Sequence, residues 1–363
     1  MSRHRRFAVV SLFSGCGGFD LAAEMTGAAR VVWANDNFPA AAATYRRNFR
    51  SPIVCADIRR IEPPDIPCDI IIGGPPCQDY SVLWLHEGAR TARGTLYEEY
   101  VRFLAEMRPK AFILENVKGL LSANHGEAWA LLRAALKAPS RAMGDEGPHV
   151  YYDLSVQVVN FADLGAPQLR ERLVVIGTRS DLGIPPVKVP TPYAGRHRTV
   201  AEVLDNPREP LPAIGTNNHV FHADAPDVVA RLKLIPPGGN YTDIPEGHPL
   251  RVKGLISHVY RRLHPDSPAY TMVAGGGGGS MGYHHREPRS LTNRERARLQ
   301  TFPDDFTFEG SIREVRTQVG NAVPPQAMSV VVEAVLAALN AGDVAPSSVI
   351  SSRRLATRPL QAA

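Results

Sequence analysis

Between residues 7 and 177, short apolar runs alternate with helix-like segments, and this pattern constrains the fold more than any other feature of the chain. Residues 7–13 read as a strand, followed by a glycine turn and a short helix over 19–25. A second strand at 30–34 leads to a helix over 39–49. Further strands are expected at 53–55, 70–72, 111–115, 152–160 and 172–177, with helices at 96–107 and 128–136. Such alternation predicts an α/β fold with a doubly wound parallel sheet. Ligands in such sheets bind beyond the carboxyl ends of the strands. The residues that follow each strand therefore carry the functional reading.

After the strand at 70–72 comes Gly73-Gly74-Pro75-Pro76-Cys77-Gln78-Asp79-Tyr80-Ser81. Two prolines fix the backbone ahead of the thiol, and the glycines allow close approach. An isolated cysteine is more often a core thiol, so its company decides. Ser14-Gly15-Cys16-Gly17-Gly18 follows the first strand and opens a helix, as a loop approaching a nucleotide-like ligand would. Asp36 ends the second strand, where an acid can hold ribose hydroxyls. Asp57 follows the third and could accept from an adenine amino group. No phosphate cradle with a following lysine is present, which fits a nucleoside better than a triphosphate. Glu115 ends a further strand and should share an edge with Cys77. A thiol and a carboxyl in one crevice suit nucleophilic attack combined with proton donation. Gln168, Arg170 and Arg172 would lie on one face if extended, aiming two guanidiniums at one site.

Taken together these residues resemble the cytosine-5 DNA methyltransferase family of bacterial restriction-modification type. The resemblance extends to Glu295-Arg296-Ala297-Arg298-Leu299-Gln300-Thr301-Phe302-Pro303-Asp304 and to Gln318-Val319-Gly320-Asn321-Ala322-Val323-Pro324-Pro325. It implies a fold built on a doubly wound S-adenosylmethionine-dependent sheet with a smaller irregular target-recognition domain. It also implies S-adenosyl-L-methionine as cofactor, with Phe13, Gly15, Cys16, Gly18, Asp36, Asp57, Ile58, Pro76, Leu96, Asn321 and Val323 as the contact positions. Catalysis would rest on Cys77, Glu115, Arg170 and Arg172, and Ser81 would contact DNA backbone. Ser11 stands where the family usually has an acid, and Tyr80 replaces the common Phe. The chemistry implied is methyl transfer to C5 of a cytosine flipped out of duplex DNA, through a covalent bond from Cys77 to C6.

Residues 180–288 are rich in Pro, Gly and His, with no long periodic helix. The expected organisation is a catalytic and cofactor-binding domain over 1–179 and a target-recognition domain over 180–288. Residues 289–340 would return to the catalytic domain, and 341–363 would form a disordered tail. Arg251, Lys253, Arg261 and Arg262 flank His258 and Tyr260 as a candidate phosphate-contacting strip. Gln78, Ser81, Gln168, Arg261 and Arg262 are thus the expected DNA contacts.

Four cysteines without a CxxC pair offer no zinc spacing and no disulfide framework, so no metal is expected and a reducing compartment is the default. The first apolar run is too short for a signal peptide, and no span of about 18 apolar residues predicts a membrane helix. The expected setting is the bacterial cytoplasm, with association to the nucleoid through double-stranded DNA. A monomer is expected, and a functionally paired restriction endonuclease is a candidate partner. Three alternatives are a tRNA cytosine-5 methyltransferase of the same fold, a catalytically silent DNA-binding regulator and a nicotinamide enzyme. The last leaves Pro75-Pro76-Cys77 without a purpose.

Overall fold

The apolar runs of the first half become strands β1 (Phe7–Leu12), β2 (Ala29–Asp36), β3 (Ile53–Cys55), β4 (Ile70–Gly73) and β5 (Ala111–Val117) in the computed structural model, which describes residues 6–76, 96–252, 259–275 and 282–344. Later in the chain come β6 (Tyr152–Asn160), β7 (Gln168–Leu169), β8 (Glu171–Arg179) and β9 (Ala269–Tyr270). Helices α1 (Gly18–Met25), α2 (Pro39–Asn48), α3 (Leu96–Met107), α4 (Glu127–Lys137) and α5 (Pro139–Ala142) connect the strands of the first half. The second half holds α6 (Val200–Leu204), α7 (Pro226–Leu234), α8 (Asn293–Leu299), α9 (Ile312–Asn321) and α10 (Pro325–Val344).

One seven-stranded sheet has the order β3-β2-β1-β4-β5-β8-β6. The first five strands run parallel, as expected, but β8 is antiparallel to both β5 and β6. The strand order reverses between β1 and β4, where Leu12 pairs with Gly73. The glycine loop after β1 and the Gly-Gly-Pro-Pro segment after β4 therefore leave the sheet side by side. The end of β5 lies next to them. Because β8 runs the other way, its start, at Arg172, pairs with Val117 at the end of β5. The sheet topology thus brings four segments distant in sequence to one edge.

The central strands β1, β4 and β5 are almost wholly buried because both faces are covered. Val9, Ile70, Ile72 and Ile113 point one way, onto Ala22 and Ala23 of α1 and onto Val331 and Val335 of α10. Val10, Ile71, Phe112 and Leu114 point the other way, onto Tyr100, Phe103 and Leu104 of α3 and Leu132 of α4. The two-residue period of a strand sorts neighbours onto opposite faces. Ile312–Ala341 is long and apolar enough to cross a membrane by length and composition, and 61% of its apolar window is buried. Its α10 part serves as a core element that packs on the sheet and α1.

The second unit, residues 180–288, has little regular structure among the described residues. Its strand β9 pairs with β7, which belongs to the 1–179 segment, in a two-stranded sheet. Its apolar residues form two small clusters, one around Val200, Leu263 and Met272 and the other around Leu232, Ile244 and Tyr260. Ile184, Val187 and Val189 pack into the core of the large sheet, beyond the composition break at Arg179. Helix α10 continues through Ala341 to Val344, and the remainder of the expected tail lies outside the described residues.

Candidate active site

The loop after β1 takes a backbone path that few residues tolerate. Phe13 has φ 55° and Gly17 has φ 93°, both in the left-handed region. A Cβ on Gly17 would also stand 2.3 Å from the Phe49 ring, so packing and conformation both require glycine there. The turn directs the Gly15 N–H at Asp36, which accepts it at 2.8 Å on Oδ2, while Oδ1 accepts the Phe38 N–H at 2.8 Å. Burial raises the Asp36 pKa, and these two bonds work against that shift. Each oxygen keeps a lone pair for a further donor. Asp57 is engaged differently. Its side chain accepts the backbone N–H of Arg59 and both Nε and Nη2 of the same residue, and these bonds hold its pKa down.

These residues line one cavity of about 610 Å³, a size that suits a nucleoside-bearing cofactor. All eleven positions expected to contact cofactor lie on its wall: Phe13, Gly15, Cys16, Gly18, Asp36, Asp57, Ile58, Pro76, Leu96, Asn321 and Val323. Cys16 is buried, its thiol lies 3.8 Å from the Gln318 carbonyl, and burial pushes its pKa far up. It is a packing residue rather than a nucleophile. Cys77, Gln78 and Ser81 lie outside the described residues, as do Lys253 and His258.

Glu115, Arg170 and Arg172 line the same cavity at its other end. Burial raises the Glu115 pKa, and the nearby guanidiniums of Arg172 and Arg170 oppose the rise. Arg172 Nε stands 3.1 Å from Glu115 Oε1. A Cβ on Gly74 would lie 3.2 Å from Glu115 Oε2, so glycine lets the segment after β4 run close past the acid. Asn116, whose role the sequence did not disclose, holds that segment in place. Its Nδ2 donates to the Pro75 carbonyl at 2.8 Å and to the Tyr97 hydroxyl at 2.7 Å, while its Oδ1 accepts the Val117 N–H. The residue beside the acid thus ties the end of β5 to the backbone two residues before Cys77.

Three expectations are corrected. Arg170 lines the cavity with Arg172, but its guanidinium is committed to backbone carbonyls. It is 3% exposed and donates to the carbonyls of Met272 and Gly320, at 3.0 and 3.3 Å. Burial brings its pKa down to about 9. Gln168 is fully buried and spends its amide on Leu299 O and Gln300 Oε1, both at 2.7 Å, so it is a core brace rather than a DNA contact. Arg262 likewise turns inward, donating to the carbonyls of Leu232, Ile235, His284 and His285. Arg261, its neighbour, is exposed and lies over the Tyr270 ring at 4.8 Å, so it remains available to a phosphate. Arg251 bonds the Thr242 and Ile244 carbonyls.

The second unit reaches the cavity through Met272, Val273 and Ala274. A Cβ on Gly320 would come within 2.1 Å of Ala274 N, so only glycine lets α9 pack there. Among the described residues no group of three or more His, Cys, Asp and Glu side chains is arranged to hold a metal ion.

The chain is similar to known proteins over most of its length. The family model for C-5 cytosine-specific DNA methylase matches residues 7–337. The chain is 46% identical over 340 residues to the Type II methyltransferase M.NgoFVII of Neisseria gonorrhoeae, covering 90% of this chain and 86% of that protein. It is 39% identical over 355 residues to the Type II methyltransferase M.BbvI of Brevibacillus brevis, covering 91% of each. Among solved structures, the Dnmt2 methyltransferase of S. pombe shares the fold with a TM-score of 0.58 at 18% identity, over 93% of this chain and 100% of that one.

Proposed function

This chain belongs to the C-5 cytosine-specific DNA methylase family and is a DNA (cytosine-5-)-methyltransferase, and from that premise we propose how its own residues act. The substrate is a cytosine within a specific sequence of double-stranded DNA. S-adenosylmethionine, held by Asp36, Asp57, Phe13 and the loop at Gly15–Gly18, supplies an electrophilic methyl group when bound. The observation that supports this reading best is one cavity walled by Asp36 at one end and by a buried acid, Glu115, at the other.

Cytosine C5 is a poor nucleophile until electrons are pushed onto it. The Cys77 thiolate adds to C6, forming an S–C bond while the ring π electrons move toward N3 and C5. Glu115 gives N3 a proton, which its burial-raised pKa favours, and Arg172 keeps that carboxyl oriented. Once C5 carries the methyl group, water takes the C5 proton, the C5–C6 double bond re-forms as Cys77 leaves as thiolate, and N3 returns its proton to Glu115. A stacked base is out of reach for all of this, so the cytosine must be flipped out.

Residues 180–288 select the target in this reading, supported by the exposed Arg261 and by the irregular build of that unit. A cytoplasmic monomer working on chromosomal DNA, with a paired restriction endonuclease encoded elsewhere, completes the proposal.

The test uses a duplex whose target C5 hydrogen is replaced by fluorine. The sequence is first found by bisulfite mapping of methylated plasmid. With cofactor present, the wild-type protein should form a denaturation-resistant adduct, because fluorine cannot leave as a proton. Cys77→Ser should lose both adduct and turnover while still binding DNA. An adduct that survives Cys77→Ser would overturn the assignment of the nucleophile.

A further inference from the structure

Beneath the cofactor end of the cavity lies a carboxylate that the mechanism leaves unused. Asp20, in the first turn of α1, is fully buried. Its Oδ1 accepts the Tyr45 hydroxyl at 2.9 Å, and its Oδ2 accepts the Ser11 hydroxyl at 3.0 Å. Ser14 Oγ in turn has two acceptors in Ser11, Oγ at 2.9 Å and the backbone carbonyl at 3.1 Å. Ser11 and Ser14 both line the cavity, whereas Asp20 does not. They sit at the end of β1, which the sheet order puts between β2, with Asp36, and β4–β5, with Glu115. Burial pushes the Asp20 pKa up to about 7, with Tyr45 and Ser11 pulling against it. A buried carboxyl without a cation is costly unless something else draws on it.

The direction of these hydrogen bonds matters more than their number. In its ionised form the Asp20 carboxyl can only accept. It therefore fixes the Ser11 hydrogen toward Asp20 and turns a Ser11 lone pair toward Ser14. The Ser14 hydrogen then points at Ser11, to its Oγ or its carbonyl, and the Ser14 lone pairs are left for the cavity. The same wall carries the Ser11 position where the family resemblance expects an acid.

We propose that Asp20 is a positioning residue for the cofactor, acting through Ser11 to keep Ser14 an acceptor for the ammonium group of the cofactor's amino-acid end. The inference rests on the S-adenosylmethionine reading above. Asp20→Asn keeps the volume but offers an N–H to Ser11, which frees the Ser11 hydrogen to turn to Ser14 and occupy a lone pair that would otherwise face the ammonium.

Binding is measured calorimetrically without DNA, using S-adenosylhomocysteine and its analogue lacking the amino group. Wild type should bind the amino form more tightly. Asp20→Asn should bind it about tenfold more weakly, with the analogue changed by less than about twofold and the thermal midpoint held or raised. Ser14→Ala should give the same selective loss by removing the acceptor itself. Placing the acid on the other partner, Ser11→Asp with Asp20→Ser, should recover most of the lost affinity. In turnover, the effect of Asp20→Asn should fall mainly on the KM for cofactor.

Equal weakening for both ligands in Asp20→Asn and Ser14→Ala, or no weakening, would overturn the proposal while leaving the cofactor assignment standing. Failure of the wild type to bind S-adenosylhomocysteine or S-adenosylmethionine would remove both.

Discussion

In the large sheet the backbone of Val9, Ile71 and Ile113 is paired along neighbouring strands, whereas the carbonyls of Leu232, Ile235, His284 and His285 converge on a single side chain, Arg262. The same device recurs where the second unit meets α8. Arg294 donates to the carbonyls of Asn217, Pro303 and Phe306, and Arg298 to those of Val203, Glu209 and Pro210. Buried carbonyls must be satisfied in either unit. A ladder does this where the chain is regular. A guanidinium, with five donors in a planar fork, does it where the chain is not. Burial lowers the Arg262 pKa, and that of Arg294 to about 10. Arginine in the loop-built unit is therefore in part internal scaffold. A basic segment there need not be a DNA-binding surface.

This contrast can be broken or sharpened by substitution. The largest effect belongs to the sheet edge: Glu115→Gln should lower the single-turnover rate about 10²- to 10⁴-fold, with thermal stability and cofactor affinity retained. The pH profile should follow. Glu115 must be protonated to give up a proton, so activity falls as pH rises through its raised pKa. Arg172→Gln removes a charge that pulls that pKa down, so the alkaline limb should move to higher pH. A limb that stays put in Arg172→Gln would separate it from Glu115.

Next comes the scaffold. Arg262→Ala should destabilise the second unit by about 3 kcal/mol, because several buried carbonyls lose their donor at once. Hydrogen exchange should show the loss around α7 and residues 284–285, with the large sheet still protected. Sequence discrimination should weaken while S-adenosylhomocysteine binding persists. Uniform loss of protection across both units would refute the division.

A smaller effect is expected for Asn116→Ser, which releases the Pro75 carbonyl and the Tyr97 hydroxyl. Turnover should drop about tenfold, with cofactor binding little changed, if the bond positions the segment leading to Cys77. The smallest effect falls on the exposed neighbour of the scaffold arginine. Arg261→Ala should weaken DNA binding a few-fold and reduce the salt dependence by about one counterion, with stability intact. If Arg261→Ala and Arg262→Ala behaved alike, the inward and outward roles assigned here would be wrong.

Much of this arrangement was legible in the residues alone. Helix α3 begins and ends where the pattern puts it, at Leu96 and Met107, because its apolar positions recur at helical spacing with no breaker between. The Gly-rich loop, Asp36, Asp57 and Glu115 each follow an apolar strand, so a parallel sheet sends them to one edge. Helix α9 escaped notice because only Ile312, Val315 and Val319 mark its apolar side, although Ser311 and Glu314 form its capping box. The direction of β8 was beyond reach as well, since a strand buried on both faces reads alike forward and backward.

The amino-acid order by itself determined which side chains could do chemistry and roughly where along the sheet they would emerge, since periodicity and turn residues are local properties. Only the tertiary structure decided which polar groups face the cavity and which face the interior. Arg170 finds its carbonyl partners 102 and 150 residues away, and Asp20 finds Tyr45 from the next helix. A guanidinium or a carboxyl in the sequence carries no mark of its partner. That choice is made when distant segments close around it and leave their own polar groups in need of one.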